Sequence, residues 1–69
     1  MNQCDMILQY MRDTGSITPW EAMREFGCMR LGARIYDLRR RGHGIERTLV
    51  SDTNRYGKRV QYARYTVQE

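Results

Sequence analysis

The chain has 69 residues, 41% hydrophobic and 29% charged, with a formal net charge of +4. That length holds one domain, residues 1–69, whose single core buries barely enough apolar surface to offset chain entropy, so a two-site enzyme is not expected. No apolar run approaches the roughly 18 residues of a membrane span, and Met1-Asn2-Gln3-Cys4-Asp5 lacks the basic n-region of a secretion signal, which makes a cytoplasmic, unprocessed protein with no membrane partner the expectation.

From Gln3 to Arg12, Cys4, Ile7, Leu8 and Met11 recur at helical spacing on one face, which predicts a first helix ending before Gly15. Ser16-Ile17 is too short for a helix and reads as a single extended step. Thr18-Pro19-Trp20-Glu21 is then a helix start: Thr18 can cap, Pro19 suits the first helical position, and Glu21 completes a capping box. The second helix is expected to run to about Phe26, burying Ala22, Met23 and Phe26, with Gly27 as its turn.

A third helix is expected from near Met29 to the Gly42-His43-Gly44 break, with Leu31, Ile35 and Leu38 inside. At about 100° per residue, its opposite face holds Ala33, Tyr36, Asp37 and Arg40, flanked by Arg30 and Gly32. Arg34 and Arg39 fall nearer the core boundary, where an Arg stem packs over apolar surface. Beyond the break, Ile45 to Val50 and Arg59 to Val67 are rich in β-branched and aromatic residues, and residues 51–58 between them are turn-like. The pattern is a β-hairpin with a long basic tip, its Ala63, Tyr65 and Val67 facing inward.

Charge is divided unevenly along these elements. Residues 1–29 carry two arginines against four carboxylates, or −2, whereas residues 30–69 carry ten basic groups against four carboxylates, or +6. A split of this size points to a polyanionic partner for the second half, against the plainer alternative of a solvated basic face. Eleven of the twelve basic residues are Arg, whose planar fork suits phosphate oxygens and guanine edges better than an ammonium does.

Metal and catalytic chemistry find little support. Cys4 and Cys28 sit 24 positions apart with no CxxC or HxxxH spacing, and with His43 they fall short of the four ligands of a zinc site, so both read as core filler. His43 has no Ser or Cys nucleophile in a recognisable motif with it, and Gly42-His43-Gly44 lacks the Gly-x-x-x-x-Gly-Lys pattern of a phosphate loop. No enzyme activity, metal site or cofactor is expected.

Three short helices followed by a basic hairpin is the element order of an α+β winged helix-turn-helix. The runs Ile17-Thr18-Pro19-Trp20-Glu21-Ala22, Gly27 to Ile35, Leu38-Arg39 and Gly42-His43-Gly44-Ile45 resemble the small winged helix-turn-helix DNA-binding proteins of phages and prophages. Only Cys28, Met29 and Arg30 separate Gly27 from Leu31, a shorter turn than many winged domains have. The resemblance implies double-stranded DNA as partner, with the third helix in the major groove and the hairpin wing on the flanking backbone. It implies an interface of Arg30, Gly32, Ala33, Tyr36 and Arg40 on the helix, and of Arg55, Lys58 and Arg59 on the wing. The role implied is that of a transcriptional regulator or an excisionase-like factor.

Two other readings compete. A phage-encoded winged domain can block a host protein such as a defence nuclease, although a basic surface suits the plugging of a basic nucleic-acid channel poorly. Tyr56, Tyr62 and Tyr65 offer stacking surfaces for single strands or RNA, although strand tyrosines are more often simply good sheet formers. The sequence leaves the oligomeric state open, a homodimer among the options.

Overall fold

In the computed structural model, which describes residues 2–68, the first element is α1 (Gln3–Thr14). Met1 and Glu69, the two ends of the expected domain, lie outside the described residues. The Asn2 side chain accepts the Asp5 N–H at 2.9 Å, satisfying one of the donors that a helix start leaves orphaned. Cys4, Ile7, Leu8 and Met11 are the buried face, as their spacing requires. The helix runs two residues past Arg12, because nothing breaks it before Gly15, whose N–H closes on the Met11 carbonyl at 2.8 Å. Ile17 then makes the single extended step. It is fully buried and exchanges two 2.9 Å backbone hydrogen bonds with Tyr65.

The capping box opens α2 (Pro19–Phe26): Thr18 Oγ1 accepts the Glu21 N–H at 3.2 Å, and Glu21 Oε1 accepts the Thr18 N–H at 3.1 Å. Ala22 is fully buried and Phe26 half-buried, its ring set edge-on against Tyr10 with centroids 5.6 Å apart. Met23, expected inside, is 44% exposed. In eight residues the apolar stripe follows Ala22 and Phe26, and Met23 lies about 100° round from it, lining a cleft beside the hairpin.

The third helix, α3 (Leu31–Arg40), starts two residues later than the sequence predicts. Cys28 is buried, its N–H bonded to the Ala22 carbonyl at 3.1 Å, and Arg30 sits outside helical geometry while its carbonyl accepts the Ala33 and Arg34 N–H groups. Residues 28–30 are therefore spent on the turn. At the other end, the Gly42 N–H bonds the Arg39 carbonyl at 3.0 Å and the His43 N–H bonds the Leu38 carbonyl at 3.2 Å. This paired closure needs a left-handed residue, which Gly42 supplies at φ 100°.

Strands β1 (Ile45–Thr53) and β2 (Arg59–Val67) form an antiparallel hairpin in which Ile45 faces Val67 and Thr53 faces Arg59. β1 runs three residues past Val50. Ser51, Asp52 and Thr53 find partners in Gln61, Val60 and Arg59, and that pairing overrides their turn propensity. The reversal shrinks to residues 54–58, where Asn54 Oδ1 accepts the Tyr56 and Lys58 N–H groups, both at 3.0 Å, and Gly57 takes φ 77°, the arrangement of a type I turn with a glycine bulge. Tyr65 is buried, with Ala63 and Val67 half-buried beside it, so this face is the inward one.

The architecture is thus three helices and a two-stranded hairpin, extended by the Ile17 bridge. One core draws on all of them, including Ile7 and Met11 of α1, Ile35 and Leu38 of α3, and Ile45 and Tyr65 of the hairpin. Cys4 and Cys28 are free thiols within that core. The extents, 39 × 22 × 20 Å, reflect the outer half of the hairpin standing clear of the body.

Candidate nucleic-acid interface

Leu31, Ile35 and Leu38 pin α3 to the core, and that pinning decides what its other faces offer. Gly32, Tyr36 and Arg40 follow one another at i, i+4 and i+8 along a row that is exposed throughout. Tyr36 is 60% exposed, and the Arg40 guanidinium carbon lies 5.9 Å from the centre of its ring, a cation–aromatic contact that steadies both side chains. Ala33 is half-buried at the edge of this row, and Arg30 is exposed at the residue preceding the helix.

Asp37 stands on the outer side of α3, at the margin toward α1. It is half-buried on the flank toward α1, where its Oδ2 lies 3.3 Å from the Arg34 guanidinium and 4.0 Å from the Cys4 sulfur. Its side chain stays 42% exposed and lines a surface depression with Arg40 and Arg41, so its charge is offset by pairing with Arg34 rather than removed from the outer side of the helix. Arg40 contacts Tyr36 and has no carboxylate within salt-bridge distance among the described residues. Arg34 sits at the core boundary as expected, half-buried, with its Nε buried and unpartnered among the described residues. Arg39 is exposed, and its guanidinium reaches the Ile45 carbonyl, with Nη2 at 2.9 Å and Nε at 3.3 Å.

The wing residues come together at the hairpin's tip. Arg55, Lys58 and Arg59 are all exposed, and no carboxylate lies between Asn54 and Arg59. Tyr56, 88% exposed between them, belongs to the same tip, and further down the strands Arg47 and Arg64 are exposed on opposite faces of the hairpin. Alternation along β2 marks Arg64, which flanks the inward Tyr65; Tyr56 is marked in the sequence as a stacking tyrosine, not as a neighbour of the tip cations. Tyr65 is in the core, which removes it as a stacking platform.

Ion pairing separates the cations into two sets. Arg24, Arg34 and Arg41 are held by Glu25, Asp37 and Asp5 at 3.6, 3.3 and 3.2 Å. Among the described residues, Arg30, Arg40, Arg55, Lys58 and Arg59 have no carboxylate within salt-bridge distance. Arg39, Arg47 and Arg64 likewise have no carboxylate within salt-bridge distance among the described residues, so the unneutralised charge runs from the outer side of α3 over the hairpin to its tip. A surface of this kind attracts polyanions and releases their counterions on contact. Among the described residues no group of three or more His, Cys, Asp or Glu side chains is placed to hold a metal ion, and no helix is long and apolar enough to cross a membrane.

The family described as winged helix-turn-helix domain matches residues 2–69. No curated protein and no solved structure matches the chain.

Proposed function

Because the chain belongs to the winged helix-turn-helix family, whose members typically bind DNA without catalysing a reaction, we propose that it is a sequence-specific duplex-DNA-binding protein. In this reading it is of phage or prophage type and acts in the cytoplasm, without a cofactor, as a transcriptional regulator or excisionase-like factor. Helix α3 enters the major groove. Gly32 and Ala33 let its backbone approach the groove floor, Tyr36 and Arg40 reach base edges, and Arg30 reaches a base edge or a phosphate. The wing lies along the flanking backbone or minor groove through Arg55, Lys58 and Arg59.

The observation that carries this reading is that the cations of the exposed α3 row and of the wing tip lack a carboxylate partner among the described residues, as do Arg39, Arg47 and Arg64, while the carboxylate of α3 itself, Asp37, is paired with Arg34. The phage setting rests on the sequence resemblance alone. Electrophoretic mobility shifts with random duplex, single-stranded DNA and RNA at two salt concentrations test the proposal. Duplex should be preferred, with affinity falling steeply as salt rises. Weak affinity for all three nucleic acids would favour the other reading, a protein-binding inhibitor of a host nuclease.

A further inference from the structure

The register of the hairpin shows which backbone groups are left over. Asn54 donates to Lys58 and Gln68 donates to Gly44, so in this antiparallel ladder the even-numbered residues exchange hydrogen bonds within the hairpin and the odd-numbered ones point outward. On β2 those outward groups belong to Arg59, Gln61, Ala63, Tyr65 and Val67. Tyr65 is satisfied by Ile17 in both directions. The added strand stops there, because two residues on Pro19, which has no N–H to donate, opens α2 and carries the chain away. Among the described residues nothing pairs with the outward N–H and C=O groups of Arg59, Gln61 and Ala63.

A cleft of about 560 Å³ opens beside this edge, lined by Thr18, Pro19, Trp20, Met23, Asp52 and Tyr62. Trp20 is 68% exposed, an unusual cost for the largest apolar side chain of a small domain. Cations flank the edge, since both Arg59 and Arg64 are exposed without an acidic partner. Asp52, the one carboxylate lining the cleft, already accepts the Thr53 N–H at 2.7 Å.

We propose that the free edge of β2, together with the Trp20–Met23–Tyr62 cleft, docks an extended segment of a partner protein that pairs as an added strand. An open edge supplies main-chain hydrogen bonds, and adjacent pockets select alternate side chains. The segment that fits alternates apolar and acidic residues: the apolar ones enter the cleft on the Tyr62 face, and the acidic ones meet Arg59 on the other. This surface shares only Arg59 with the DNA contacts proposed above and does not depend on them.

The test is a titration of ¹⁵N-labelled protein with a capped heptapeptide of alternating valine and aspartate, followed by amide shifts. Two controls are the valine–lysine heptapeptide and the valine–aspartate peptide N-methylated along its pairing edge. The expected result is saturable shifts at residues 59–63 and at the Trp20 indole with Kd of about 1 mM or tighter, lost with both controls. Trp20→Ala and Met23→Ala should each weaken binding by about fivefold or more, with their spectra showing an intact fold. Absence of saturation at about 5 mM, an equal response to the lysine peptide, or survival of binding after N-methylation overturns the proposal. Shifts at this edge that depend on protein concentration alone also overturn it, assigning the edge to a second copy of the chain. Binding of random duplex by the Trp20→Ala protein is measured in parallel and should match the wild type; loss of DNA binding in both, with peptide shifts intact, would defeat only the DNA reading.

Discussion

The guanidinium of Arg39, in the last turn of α3, donates two hydrogen bonds to the carbonyl of Ile45, the first residue of β1. That carbonyl faces away from β2, because odd-numbered residues of β1 point to its free edge. One side chain thus ties the proposed recognition helix to the base of the wing. Replacing Arg39 with Ala should cost about 1 kcal/mol, a fall in Tm of roughly 4–8 °C for a domain of this size. Amide exchange should quicken at the start of β1, and the salt dependence of DNA binding should stay unchanged. A lower salt slope with unchanged stability would make Arg39 a phosphate contact instead.

Arg40 and the tip cations are expected to differ in kind. Arg40→Ala or Arg30→Ala should lose about 1–3 kcal/mol on a preferred duplex if that side chain reads a base, and far less on random duplex. Arg55→Ala or Lys58→Ala should weaken binding to every duplex alike and lower the salt slope by roughly one unit per contact. Anisotropy titrations at several salt concentrations separate the two behaviours.

Gly32 offers a test in which stability and binding move in opposite directions. It lies in the first turn of α3 with ordinary backbone angles, and a Cβ built there meets nothing within 4 Å. Gly32→Ala should therefore stabilise the protein by about 0.5–1 kcal/mol through helix propensity. If the backbone at this point approaches the groove floor, Gly32→Gln should reduce DNA affinity without unfolding the domain. Full affinity in the Gln variant would show that close approach is not required.

Most of the fold is legible in the sequence because its signals are local. The Thr18–Glu21 capping box, the inward spacing of Cys4, Ile7, Leu8 and Met11, and the alternation ending in Tyr65 each carry their own periodicity. What those signals miss comes from tertiary choices. Asp37 lies on the polar side of a helical wheel centred on Leu31, where the structure leaves its side chain 42% exposed, but the approach of the Cys4 sulfur from α1 is not visible on the wheel. Met23 is apolar and near the core, yet α2 has only Ala22 and Phe26 to turn inward. The extra pairs of β1 depend on what stands opposite on β2, which no window around Ser51 reveals. For the interface, a wheel can place Tyr36 and Arg40 outside, whereas their mutual contact and the pairing state of each Arg are properties of the folded chain.

The Tyr10 hydroxyl donates to Glu21 Oε2 at 2.6 Å, and this pair links α1 and α2 to pH. Burial pushes the Glu21 carboxyl up, but the hydrogen bonds from Tyr10 and from the Thr18 hydroxyl and N–H outweigh it, leaving the carboxyl below the ordinary glutamate value. A depressed folded-state pKa contributes stability above the unfolded value that is lost as pH falls through the folded one. The same hydrogen bond, followed by burial and the Glu21 charge, raises the Tyr10 hydroxyl, so its contribution is present below the ordinary tyrosine pKa and is lost as pH climbs through the raised value. Melting temperature should therefore drop below about pH 4 and again above about pH 10. Tyr10→Phe should flatten both limbs; unchanged limbs would remove this pair from the pH response.

The central claim is that duplex DNA is held by the exposed row of α3 and the wing tip together. Its most direct test is an amide and side-chain NMR titration of the labelled protein with a duplex selected from a random pool. The account expects the largest shifts at Gly32, Ala33, Tyr36 and Arg40, and at Arg55, Lys58 and Arg59, with α1 little changed. Shifts confined to Trp20, Met23 and Tyr62, or saturable duplex binding that leaves α3 unperturbed, would contradict it.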